Sequence, residues 1–83
     1  MTDEFILTIT YKQEQTDFKA RLLLQGYVHK FRVMVDEMEI FFEPDEEGHY
    51  RAVKMSWQDE KQIEKIDKNL LSVIAQKIEA VLA

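Results

Sequence analysis

His29 and His49 are the only side chains of this sequence that titrate near neutral pH without special help. His49 closes an acidic run in which Asp45, Glu46, Glu47 and His49 offer oxygen and nitrogen donors in quick succession. Such a cluster attracts cations, but its spacing is not that of an EF-hand loop, whose dozen residues fix each ligand position. A solvated acidic turn is the expectation, and no metal site is assigned. The chain has no cysteine, so thiolate nucleophiles, thiolate ligands and disulfides are out of reach. Hydroxyl nucleophiles would need a base and an orienting group within hydrogen-bond distance. The strand pattern described below sets His29 on the core face beside Leu22 and His49 on the opposite face, where they do not converge. The sequence therefore predicts neither an enzyme nor a cofactor.

A second group of residues reads differently. Lys19, Arg21, Lys30, Arg32 and Arg51 share one strand parity with Met34, Phe41 and Val53. In a strand, alternate side chains point to one face, so an acidic chain of net charge −5 gathers its strand-borne positive charge around one aromatic ring. The predicted register sets Lys19 opposite Arg32 and Arg21 opposite Lys30, with Arg32 and Arg51 flanking Phe41. Guanidinium groups stack on such rings, and so do the bases of single-stranded nucleic acid. Glu39 and Glu43 share the face, and a pair such as Lys30 with Glu43 neutralises part of it. Two uses follow. The face, with Met34, Phe41, Val53 and Trp57, or an edge strand, contacts another protein or a second copy of the chain. Alternatively, Lys19, Arg21, Lys30, Arg32, Phe41 and Arg51 hold an anionic ligand or a single strand. Net negative charge argues against duplex nucleic acid.

The elements that must position these residues centre on Phe31 to Phe42. With Asp36-Glu37 as a two-residue turn, Val35 meets Met38, Val33 meets Ile40 and Phe31 meets Phe42. All six are apolar and share one face, which pins the register, because a slip of one residue would bury Glu39. Glu is a poor second turn residue, where Gly is favoured. Similar alternation predicts strands over about 4–11, 16–24, 27–35, 38–43 and 49–55, with turns centred on Gln13-Glu14 and Gln25-Gly26. Those turns place Ile9 opposite Phe18, Leu7 opposite Ala20, Ala20 opposite Phe31 and Leu22 opposite His29. The loop Pro44 to Gly48 brings Tyr50 opposite Phe42 and Ala52 opposite Ile40, and Lys54 marks where the strand leaves the core. Residues 56–66 stay unassigned, with Trp57 and Ile63 expected over a core edge. Asp67 is a suitable N-cap for a helix over about 67–82. Its stripe of Leu70, Leu71, Ile74, Ile78, Val81 and Leu82 must be buried, and only the sheet can cover it. The fold class is α+β: a five-stranded antiparallel meander with one C-terminal helix on one face.

Eighty-three residues suit a single domain, 1–83, with one modest core. There is no apolar run near 18 residues and no basic segment leading into one, so neither a membrane span nor a signal peptide is expected. A cytoplasmic protein is the default.

The run Phe42-Glu43-Pro44-Asp45-Glu46-Glu47-Gly48-His49-Tyr50-Arg51-Ala52, with Gly26-Tyr27-Val28-His29-Lys30-Phe31 upstream and the helix opening at Ile66-Asp67, resembles a group of small bacterial proteins of unassigned function. The likeness extends over nearly the whole chain, and its motifs are structural rather than chemical. It implies a bacterial cytoplasmic setting and a sheet-plus-helix fold, and it brings no activity or catalytic residue with it.

Overall fold

The computed structural model describes residues 4–82. Five strands follow one another as neighbours in one antiparallel sheet: β1 (Glu4–Tyr11), β2 (Glu14–Gln25), β3 (Val28–Val35), β4 (Met38–Pro44) and β5 (Tyr50–Val53). A short helix, α1 (Glu60–Glu64), and a long one, α2 (Lys68–Leu82), complete the chain.

The turns set the pairing. Asp36 and Glu37 hold φ of 49° and 65°, as do Lys12 and Gln13 at 51° and 67°. Positive φ at both central residues makes these I′-type hairpin turns, whose twist matches the strands. The β3–β4 pairing is the predicted one: Val35 with Met38, Val33 with Ile40, Phe31 with Phe42. In the other three hairpins each partner sits two residues from its predicted place. Leu7 faces Phe18 rather than Ala20, Ala20 faces Val33 rather than Phe31, and Phe42 faces Ala52 rather than Tyr50. The cause is turn position: the first hairpin turns at Lys12-Gln13 rather than Gln13-Glu14, and the second at Gly26-Tyr27 rather than Gln25-Gly26. Gly26, with φ of 62°, takes the first central position, which a II′ turn reserves for glycine. A shift of two keeps every side chain on its face, so the predicted faces stand although the partners change.

One face of the sheet carries the core. Leu7, Ile9, Ala20, Phe31, Val33, Val35, Ile40 and Phe42 are buried together with Ile66, Ile74, Ala75 and Ile78 from the helical end of the chain. Each fully buried Leu, Ile or Phe contributes about 1.5–3 kcal/mol relative to exposure. Phe5, Phe31 and Tyr50 form an edge-to-face aromatic row across one end of this face. The β3–β4 register, continued by two residues, sets His29 opposite Pro44, which has no N–H to give. The Tyr50 hydroxyl donates to the His29 carbonyl instead, at 2.7 Å.

Asp67 caps α2 as predicted, its Oδ1 accepting the Asn69 N–H at 2.9 Å. Its Oδ2 accepts the Tyr11 hydroxyl at 2.6 Å, and Lys12 lies 3.5 Å away. The helix stripe is narrower than predicted. Ile74 and Ile78 are buried and Leu70 and Leu71 partly so, whereas Val81 and Leu82 are exposed, because the last turn of α2 runs past the core. The unassigned segment contains α1, whose N-cap Asp59 accepts the Lys61 N–H. Ile63 packs on the core as expected. Trp57 does not, and its place on the other face is described next.

Candidate functional site

The strand register lays Glu4, Arg21, Arg32, Phe41 and Val53 in one row across all five strands on the face away from α2. A neighbouring row holds Leu23, Lys30, Glu43 and Arg51, and Lys19, beside Ile6, lies on the other side with Met34 and Glu39. All eight candidate residues (Lys19, Arg21, Lys30, Arg32, Met34, Phe41, Arg51 and Val53) therefore occupy one face. Their neighbours differ from the prediction. Arg21 is opposite Arg32, not Lys30, and Lys19 is opposite Ile6. Phe41 is flanked by Arg32 and Val53, while Arg51 sits one row away, opposite Glu43. These changes follow from the two-residue displacement of the hairpins.

Two acidic side chains temper the charge. Lys30 pairs with Glu43 at 2.9 Å, directly across the β3–β4 ladder, and Arg32 reaches Glu39 diagonally at 3.7 Å. Among the described residues, Lys19, Arg21 and Arg51 make no ion pair. The Arg21–Arg32 juxtaposition would be unfavourable alone, and the Glu39 carboxylate beside Arg32 offsets part of it.

Trp57, expected both over a core edge and among the outer-face contacts, lies on the outer face; the residue that sequence reasoning missed is Gln58, which holds it there. Trp57 is 66% exposed, and its ring stands edge-on to Phe41 with centroids 5.8 Å apart. The β4–β5 register, continued past Val53, would set Met55 opposite Glu39, but β5 stops short. The Gln58 side chain fills the vacant rung, donating to the Glu39 carbonyl and accepting the Met55 N–H at 2.9 Å. Only the abrupt end of the alternation at Lys54 hinted at this, and it did not say to which side the chain would turn.

The acidic loop is a closed structure of its own. Asp45 Oδ1 accepts the N–H groups of Glu47 and His49, both at 2.9 Å, and these bonds hold its carboxyl below the usual range. His49 does not lie on the outer face, as predicted, because it precedes β5 and escapes the alternation. Its Nδ1 meets Glu79 of α2 at 3.2 Å, which raises the imidazole pKa, first through that hydrogen bond and then through the carboxylate's charge. Glu79 is shifted down, chiefly because it also accepts the Tyr50 N–H. Tyr11 is raised and Asp67 lowered by their mutual bond. Each of these shifted groups is occupied in tying one element to another. His29 faces Leu24 rather than Leu22 and is exposed. Among the described residues, no three of His, Asp and Glu converge in a way that could hold a metal ion, and no helix is long and apolar enough to cross a membrane.

A groove of about 790 Å³ runs between β5 and the two helices, with Ile40, Ala52, Ile63, Leu71 and Ala75 in its wall. Ala52 points to the core face as predicted but stays exposed there, because α2 crosses obliquely and leaves this corner open.

Comparison of the chain with protein-family models, with curated proteins and with solved structures gives no match.

Proposed function

We propose that the protein is a small cytoplasmic interaction module rather than an enzyme, and that it contacts another protein through the outer sheet face. The observation that carries the reading is the Phe41–Trp57 pair. An indole 66% exposed is held edge-on over a half-buried ring in the middle of a sheet face by a dedicated side-chain clamp from Gln58. Exposed tryptophan on a supporting Phe41, on the face that also carries Val53 and Met34, is the composition of an interface centre, with arginines as its usual companions. Arg21, Lys19 and Arg51, which make no ion pair among the described residues, suit a partner with acidic groups around an apolar spot. As the only tryptophan of the chain, Trp57 reports directly on such contact. With a captured partner, its emission shifts to the blue on binding, and Phe41→Glu abolishes capture while the circular dichroism stays unchanged. Capture that survives both Phe41→Glu and Trp57→Ala rules this face out.

The direct Arg21–Arg32 juxtaposition favours a second reading, a single-stranded nucleic acid or other polyanion stacked on the same aromatics. That reading requires binding that falls steeply with salt and weakens on Arg32→Ala, as measured by oligonucleotide titration at low ionic strength.

A further inference from the structure

The two edges of the sheet are treated differently. β5 is four residues long, Glu79 takes the Tyr50 N–H at 3.0 Å, and Gln58 serves the ladder beyond Val53. β1 is eight residues long, with no proline, lysine or bulge to blunt it. Its closing pair, Tyr11 with Glu14, flanks a two-residue turn, so Tyr11, Ile9, Leu7 and Phe5 direct their N–H and C=O groups to β2. Glu4, Ile6, Thr8 and Thr10 direct theirs to the open side. Among the described residues, no partner meets those groups. On the outer face Ile6 is 54% exposed. On the helix side, Leu70 and Val73 of α2 are only partly buried against the core, and Val81 is 53% exposed.

We infer that β1 pairs with β1 of a second copy, antiparallel about a two-fold axis through Thr8, joining two five-stranded sheets into one continuous sheet. Only pairings of even-numbered with even-numbered residues use the open groups and keep both outer faces on the same side. Charge chooses among these. Glu4 and Lys12 are the only charged residues from Glu4 to Lys12, one at each end, and Lys12, although 3.5 Å from Asp67, is an exposed side chain. An axis at Thr8 brings Glu4 of each copy to the Lys12 end of the other. It also sets Leu7 opposite Ile9 and Phe5 opposite Tyr11, like with like on the core face, and Ile6 opposite Thr10, both β-branched, on the outer one. The contact is isologous and closes at two copies. It uses none of the outer-face residues proposed above, so either reading can fail without the other.

The test is light scattering on the whole chain, with a set of variants. The wild type gives twice the 9.9 kDa chain mass at micromolar concentration. Thr8→Pro removes an N–H that β2 does not use, so the fold keeps its ladder while the dissociation constant rises at least ten-fold. Thr8→Cys, in a chain with no other cysteine, forms a covalent dimer under mild oxidation. Ile6→Cys does not, because the two Ile6 positions lie four residues apart along the paired strands. If Thr8→Pro fails to fold, the two cysteine variants decide alone. Phe41→Glu leaves the dimer intact. A strict monomer at hundreds of micromolar, equal crosslinking at positions 6 and 8, or a dimer lost with Phe41→Glu but kept with Thr8→Pro overturns the inference.

Discussion

Glu79 accepts the Tyr50 backbone N–H through one carboxylate oxygen at 3.0 Å and meets the His49 ring with the other at 3.2 Å. One side chain near the end of α2 thus fastens the start of β5 and the loop before it.

This fastening depends on pH in a definite sense. The His49 pKa is raised by folding, so its contribution is fully present below the ordinary imidazole value and is lost as pH rises through the raised one. The Glu79 and Asp45 values are lowered, so theirs are present above the ordinary carboxyl range and are lost as pH falls through the lowered values. The three act together only in mildly acidic solution. In urea denaturation, the gap between wild type and His49→Ala should be wider at about pH 5.5 than at about pH 8.5. A gap that does not change with pH contradicts this.

Asp67 serves α2 and β1 at once, capping Asn69 and accepting from Tyr11. Asp67→Ala therefore lowers Tm more than Tyr11→Phe, which leaves the cap in place. The double variant should fall no further than Asp67→Ala, since the tyrosine then has nothing left to lose. Calorimetry of the three variants checks the order.

Glu37 holds a φ of 65°, a conformation that side chains disfavour by roughly 1–2 kcal/mol. Glu37→Gly relieves it and should stabilise by about 0.5–1 kcal/mol net, after the unfolded chain's added freedom is counted. Glu37→Val should destabilise. Chemical denaturation midpoints at constant slope read both.

Phe42 is fully buried at the centre of the sheet. Phe42→Ala should cost about 3–5 kcal/mol, a large part of the stability of a domain this small. Val53→Ala, on the outer face, should cost well under half as much. Parallel urea titrations decide.

Gln58 should matter to Trp57 more than to the core. Gln58→Ala opens the rung at Glu39 and frees the segment that sets the indole against Phe41. Its fluorescence should shift to the red, with a modest loss of stability. An unchanged spectrum would show that Phe41 alone holds the ring.

What could be read from the sequence divides along physical lines. Apolar alternation fixed which residues face α2, because burial penalises any odd-numbered slip. It could not distinguish registers two residues apart. Leu7 against Phe18 and Leu7 against Ala20 bury similar apolar surface, and the choice fell to turn backbones with positive φ at Lys12 and Gln13, residues with no strong preference for it. The Asp67 cap was legible because a side-chain oxygen before an apolar stripe has one common use. The eight candidate residues were placed on the right face for the same reason as the core. Their pairings, Arg21 with Arg32 above all, inherited the register error. Trp57 and Gln58 lay beyond any periodic pattern, where only a single amide-to-ladder contact decides the path.

Because α2 runs from the Tyr11 end of β1 to the His49 end of β5, it straps the first strand to the last. The Tyr11–Asp67 bond spans 56 positions, whereas each hairpin closes over a few. Zipping of neighbours is quick and local, but no two-stranded ribbon here outlives its own fraying. Lasting order should come only when the strap docks over the apolar face of the sheet, after the long loop has closed. A chain shortened before Asp67 would keep every hairpin code it has now and still collapse into sticky, interconverting ribbons.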